Sequence, residues 1–353
     1  MKTRALHFMI FFVMSHCVLS QSCLPNGLHM SAQSQVDQFA ILNPGCKIIE
    51  GGVTVTGNNI KNLDGLSDLI EIKGDLIIGG CDSLLTIDGL ENVTSIGGAV
   101  RVQDNQQLSS IGLKNLAKLP GDYCYISNNP FVTTLEGLGQ LDSVWGIFQI
   151  WNMDSITNLN GLGNMRYAGN DFAIFRNRNL QNLDGIGKLE HIVEGLRVYE
   201  NENLTSILSL SSQLKIDGAL VVNNNPKLSS CHASAVCRYL GNPPSFIFIS
   251  NNANGCNNIV EVQAACTTST GDSDLLARVN VYPNPVFGQQ MLRISSPIEI
   301  STVRIVNSQN QVVFNPSNKQ GKELDITLHL SSGIYFIQLQ IEKQTITKKL
   351  VVL

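Results

Sequence analysis

The chain has 353 residues, a formal net charge of −4 at pH 7, 43% apolar residues and 15% charged residues. That length corresponds to roughly two or three domains. The balance excludes a disordered or acidic solvating chain, which would be poorer in apolar and richer in charged residues, and the mild acidity gives no electrostatic case for nucleic-acid binding.

Lys2 and Arg4 precede the apolar run 5–13, which is too short to span a bilayer, and Val18-Leu19-Ser20 supplies small residues ahead of a cleavage point. Residues 1–20 therefore read as a secretory signal peptide, with Gln21 as the mature start. No later apolar run reaches membrane-spanning length, so the mature chain is expected to have no transmembrane segment. Cleavage removes Cys17 and leaves an even number of cysteines, which in an exported chain favours disulfides.

A repeat organises the middle of the chain. Leu63, Ile87, Ile111, Leu135, Leu159, Leu183 and Ile207 are each 24 residues apart, and most open a Leu-x-Gly-Leu turn such as Leu63-Asp64-Gly65-Leu66. Equal steps of this length mean stacked coils, a mainly β solenoid. Each coil carries an alternating pair, from Leu76/Ile78 and Val100/Val102 through Cys124/Ile126, Phe148/Ile150, Phe172/Ile174 and Leu196/Val198 to Leu220/Val222. Period two marks a strand with one buried face. Three residues further on stands Asn105, Asn129, Asn177, Asn201 or Asn225, with Cys81 and Met153 as exceptions. A buried amide there can satisfy backbone groups of neighbouring coils.

The ends of such a stack need caps, and cysteines mark both ends. Cys23 and Cys46 are expected to bridge at the first. At the last, Cys231, Cys237, Cys256 and Cys266 allow three pairings, of which Cys231–Cys256 with Cys237–Cys266 is the one favoured here. Cys81 and Cys124 fall on non-adjacent coils, roughly two strand spacings apart, and are expected to be buried free thiols.

The opening Cys23-Leu24-Pro25-Asn26-Gly27, followed by Cys46-Lys47-Ile48-Ile49-Glu50-Gly51-Gly52-Val53-Thr54-Val55, resembles the start of the receptor L domain. That resemblance covers roughly residues 23–266 of a domain expected over 21–266 with its disulfide caps, and implies a right-handed, leucine-rich-repeat-like β-helical domain. Nothing resembles the cysteine-rich region, membrane span or kinase of the hormone receptors that carry it, so hormone binding is not implied.

Residues 267–274 are polar and read as a linker. Beyond them the period disappears. About seven short alternating runs, among them Leu292-Ile294, Val303-Ile305 and Ile334-Leu339, suggest a small immunoglobulin-like β-sandwich over residues 275–353. Tyr282-Pro283-Asn284-Pro285, then Gly333 and Tyr335, then Lys348 and Lys349 near the terminus, resemble the type A C-terminal sorting domain of the type IX secretion system of Bacteroidetes. The resemblance implies the secretion translocon as a partner, export through the outer membrane, and a secreted or cell-surface location. Lys and Arg outnumber Asp and Glu in this segment, which leaves the passenger distinctly acidic.

No catalytic constellation emerges. The histidines lack metal-ligand spacing, and the Gly-x-Gly pairs recur with the repeat, so they are turns. No catalytic residue, metal site or cofactor is expected. Asp82-Ser83-Leu84, Asp142-Ser143-Val144 and Asp154-Ser155-Ile156 resemble short O-glycosylation sites of Bacteroidetes.

The outward strand positions offer a candidate ligand face. Trp151, Phe175 and Tyr199 occupy one position in consecutive coils; Tyr125, Arg101 and Arg197 share the neighbouring column; Tyr123 lies at the next. The array suits a cross-strand ladder or the recognition of an unidentified surface glycan or protein. The leading reading is an exported, non-enzymatic recognition or adhesion module. The alternative is a structural envelope or matrix spacer. A polysaccharide-degrading β-helical enzyme comes third, because only scattered carboxylates could serve it.

Overall fold

The computed structural model describes residues 21–269, 279–287, 291–309, 311–315, 320–341 and 344–353. The expected signal peptide, residues 1–20, lies outside these residues, as does most of the expected linker. Among the described residues, buried apolar side chains form two separate clusters, one from Met30 to Cys266 and one from Val279 to Val352.

The first cluster lies between parallel sheets. A ten-stranded sheet runs in chain order from Leu28–Met30 through Tyr123–Ser127, Ile147–Trp151, Asp171–Phe175, Gly195–Tyr199 and Ala219–Asn223 to Ile247–Ser250. Its register steps by 24 residues, as in Cys124↔Phe148 and Phe148↔Phe172. The period breaks only towards the ends, where Val53 pairs with Leu76 and Leu220 with Ile247. A four-stranded and a five-stranded parallel sheet, built from much shorter strands, complete the enclosure. The inward pairs are fully buried, and Phe148 stacks on Phe172 inside the core with centroids 5.0 Å apart.

The Gly of the Leu-x-Gly-Leu turn is dictated by close approach. A Cβ on Gly137 would overlap the Ile111 carbonyl of the preceding repeat, and one on Gly89 the Leu63 carbonyl. Any larger residue would force the repeats apart at this corner.

The Asn positions form a buried ladder. Asn177 N–H donates to Asn201 Oδ1 (3.1 Å) and Asn201 N–H to Asn225 Oδ1 (3.0 Å). Each Nδ2 reaches a strand carbonyl of the previous repeat, as Asn201 does to Ile174 O (3.0 Å) and Asn225 to Val198 O (3.0 Å). Asn252, absent from the 24-residue pattern, caps the ladder by accepting from Asn225 N–H (3.0 Å). Where Cys81 replaces Asn, its thiol accepts from Gly57 N–H (3.4 Å).

Three helices, unforeseen in the sequence reading, sit at the two ends: α1 (Gln33–Leu42), α2 (Ser234–Gly241) and α3 (Ile259–Ser269). α1 buries Val36 and Phe39, one turn apart, at the first end. The Gln35 side chain accepts from the backbone N–H groups of Ser31 (2.6 Å) and Ala32 (3.0 Å), satisfying donors at its start. α3 runs through Ser269, so the expected linker 267–274 begins inside a helix. Disulfides join Cys23 to Cys46, Cys231 to Cys256 and Cys237 to Cys266.

Cys81 and Cys124 are free and buried. Burial pushes the Cys124 thiol up to about 12, so its thiolate is absent at neutral pH. Native protein treated with a thiol reagent at pH 8 is expected to leave both unlabelled, whereas denaturant exposes both. Labelling of Cys124 in the folded protein within minutes would contradict this placement.

The second cluster belongs to six antiparallel strands in one hydrogen-bonded sheet. The runs around Leu292 and Val303, expected to be separate strands, lie in a single strand, Met291–Val306. Its first half pairs with Asn280–Tyr282 and Gly321–Thr327, and its second half with Val312–Phe314 and Gly333–Ile341. The register shifts between Ser295 and Ile300, where this strand passes from one set of partners to the other. Val286 N–H bonds Val351 O (2.9 Å) and Leu353 N–H bonds Val286 O (2.9 Å), so the sheet nearly closes, like a barrel.

Candidate ligand-binding face

The parallel register sets the outward columns. Trp151 faces Phe175 and Phe175 faces Tyr199; Arg101 faces Tyr125, and Arg197 lies further along that same column. Tyr123 stands two residues before Tyr125 on the same strand. All seven side chains are half-buried.

The rings form one continuous array. Trp151 and Phe175 are stacked with centroids 5.5 Å apart and planes 4° apart, and Phe175 and Tyr199 with 4.6 Å and 9°. Tyr123 stacks on Tyr125 at 4.3 Å, and Tyr125 meets Trp151 edge-on at 5.5 Å. Parallel stacking along the sheet means that neighbouring rings cover each other's faces, so the array turns ring edges outward.

Cations flank it. The Arg101 guanidinium lies 5.1 Å from the Tyr123 centroid and donates to the Tyr123 hydroxyl (3.1 Å). Arg197 pairs with Asp171 (2.9 Å). Burial raises the Tyr125 and Tyr199 phenols above their ordinary value, so both stay protonated donors at physiological pH. Arg101 Nε, Ser127 Oγ and Asp171 Oδ1, all beside the array, are buried with no hydrogen-bond partner among the described residues.

Nothing on this face pairs a nucleophile with a base, and no group of three His, Cys, Asp or Glu among the described residues converges on a metal position. Cys231 is in a disulfide, so Cys231-His232 offers no thiolate ligand. Of the three Asp-Ser-apolar triplets, Ser143 is buried and the Ser155 hydroxyl donates to Pro130 O, which leaves Ser83 the least constrained.

The motif residues of the C-terminal sheet come together in space. Asn284 Nδ2 donates to Lys349 O (2.7 Å) and its Oδ1 accepts from Val351 N–H (2.9 Å), so one amide side chain pairs with the last strand as a neighbouring backbone would. Pro283 and Pro285 flank that Asn, and Tyr282 ends the strand before it. The Tyr335 hydroxyl donates to Ser331 O (2.9 Å), holding its ring beside Gly333 at the start of the preceding strand. Lys348 and Lys349 pair with Ile337 and Phe336 across the last two strands.

The family model of the Secretion system C-terminal sorting domain matches residues 280–353, and that of the Receptor L domain matches residues 45–138. The chain joins a receptor L domain to a type IX sorting domain. The sorting domain marks an exported protein, destined for the cell surface or secretion. No described helix is long and apolar enough to cross a membrane. The receptor L match ends at residue 138, while the 24-residue register continues to Asn223 and the parallel sheet to Ser250. No curated protein matches the chain.

Proposed function

We propose that the receptor L region is a right-handed solenoid of 24-residue coils serving as a non-enzymatic recognition or adhesion module, delivered to the cell surface through the sorting domain. The observation that carries the reading is the unbroken array from Tyr123 to Tyr199, flanked by Arg101 and Arg197, on a broad parallel sheet. Contiguous aromatic surface of this kind marks interaction sites, and Tyr, Trp and Arg are the side chains that dominate recognition energies. Ring edges, phenol hydroxyls and guanidinium groups suit a protein surface. Flat stacking of a sugar needs an open ring face, and these rings spend theirs on one another.

The test uses the mature chain beside a Trp151/Phe175/Tyr199 triple Ala variant on an array of extracellular proteins and glycans. A protein partner lost in a folded variant supports the module. The mutual stacking of the rings also favours a second reading, a structural spacer in which the ladder only braces the sheet at about 0.2–1 kcal/mol per pair. Under that reading neither protein gains a partner, and surface attachment is unchanged by the substitutions.

A further inference from the structure

A second aromatic cluster lies on the five-stranded sheet, built from different residues. Tyr167, His191 and Lys215 face one another along one outward column. Trp145, Gly169, Val193 and Asp217 follow immediately after the ends of successive strands. Trp145 is 63% exposed, and its ring meets Tyr167 at 5.9 Å with planes tilted by 59°, so its faces are not covered by a parallel neighbour. Gly169, the next residue in its column, has no side chain to fill the flank of the indole. A Cβ there would overlap the Trp145 carbonyl, so the repeat contact enforces the gap.

Polar groups border this open ring. Asp217 accepts from His191 Nε2 (2.6 Å) and pairs with Lys215 Nζ (2.7 Å), one carboxylate oxygen to each. Lys215 first and His191 second hold the Asp217 carboxyl below the usual carboxylate range, so it is an ionised acceptor. Arg166, beside Tyr167, is matched by Asp142 and Glu190. Arg166 and Lys215 thus stand among three carboxylates, Asp142, Glu190 and Asp217. Past Asp217 the surface continues into a shallow cavity of about 220 Å³ lined by Lys215, Asp217, Arg238, Tyr239 and Asn242. From Trp145 to Asp217 is three strand spacings, about 14 Å, the length of a short oligosaccharide.

We propose that this face binds a neutral carbohydrate chain, with the Trp145 ring beneath the C–H face of one sugar and the His191–Asp217–Lys215 group holding hydroxyls further along. An open aromatic plane beside both donors and acceptors, with three carboxylates among its polar groups, fits an uncharged polyhydroxylated ring better than an anion or an extended apolar peptide. The site stands apart from the ten-stranded face and does not depend on the reading of that face.

The experiment titrates the full mature chain with cellohexaose, laminarihexaose and mannohexaose, followed by calorimetry and intrinsic fluorescence. The chain has two tryptophans, Trp145 and Trp151, one in each array, so single substitutions separate the faces. At least one sugar is expected to bind. Trp145→Ala should weaken it by about tenfold or more, with Trp145→Phe recovering part of the loss and Asp217→Asn weakening it several-fold. Trp151→Ala should leave the affinity unchanged. Unfolding curves of the variants check that folding is intact, as the exposure of Trp145 leads one to expect. The proposal is overturned if none of the three sugars binds, if Trp145→Ala binds like the wild type, or if Trp151→Ala alone abolishes binding. Capture of an aromatic-rich peptide at Trp145 without sugar binding would overturn it in favour of a protein ligand.

Discussion

Replacing Asn201 by Ala is expected to destabilise the receptor L region by about 3–5 kcal/mol, one of the largest effects of any single polar substitution in it. Asn201 is fully buried. Its Oδ1 accepts from Asn177 N–H (3.1 Å) and Asn177 Nδ2 (3.3 Å), and its Nδ2 donates to Ile174 O (3.0 Å) and Tyr199 O (3.2 Å). Truncation leaves the Asn177 amide and the Ile174 carbonyl in an apolar interior that water does not reach, at about 1–3 kcal/mol for each group, and adds a cavity. In a domain of this size the thermal midpoint should fall by roughly ten degrees. Asn179 provides the comparison. It is an exposed Asn of the preceding repeat that donates to Asp154 O (2.7 Å), and Asn179→Ala should cost less than about 1 kcal/mol, because water replaces the bond. Denaturation of the three proteins followed by circular dichroism decides the matter. An Asn201→Ala protein as stable as Asn179→Ala would show that the ladder is incidental to the fold.

The second large effect is at the C-terminal end of the stack. Cys231–Cys256 and Cys237–Cys266 close segments with sequence separations of 25 and 29 residues. Chain-entropy arguments give about 3–4 kcal/mol for each bridge. The second ties α2 to α3, and the edge strand Ile247–Ser250 lies between these helices in the chain. Neighbouring repeats support one another mainly through their shared interface, so loss of a cap should be felt locally first. Substituting all four cysteines by Ala is therefore expected to strip hydrogen-exchange protection from Ile247–Ser250 and the adjoining Ala219–Asn223, while Ile147–Trp151 keeps its protection. The denaturation midpoint should shift well below that of the parent. Equal loss of protection along the whole sheet would mean that the array unfolds as a single unit, and that the caps do not act locally.

Much of this was legible in the linear chain, for one reason. When the repeat length equals the register step, residues 24 apart become lateral neighbours. The inward columns, the Asn ladder and the alignment of Trp151 with Phe175 and Tyr199 could therefore be read before any coordinates. Asn252 escaped because the last register step is longer than the others. The helices escaped because they lie outside the period. α1 buries only Val36 and Phe39, too sparse a pattern to stand out. The Trp145–Tyr167–His191 cluster escaped because strands of two residues, such as Tyr167–Ala168 and His191–Ile192, are too short to show alternation. In the sorting domain the motif was evident. That Asn284 pairs with the last strand, and that Met291–Val306 serves two sets of partners, depends on contacts between segments far apart in the chain.

The repeat, its buried side, the cysteines that close its ends and the export tag that follows it are each written in local spacing or in a contiguous motif. Which way the rings face follows from the packing of neighbouring strands. Parallel strands at a fixed separation stack Trp151, Phe175 and Tyr199 face to face, whereas Gly169 and the tilt of Tyr167 leave Trp145 open. That difference depends on side-chain rotation and neighbouring volume, which spacing along a chain does not encode.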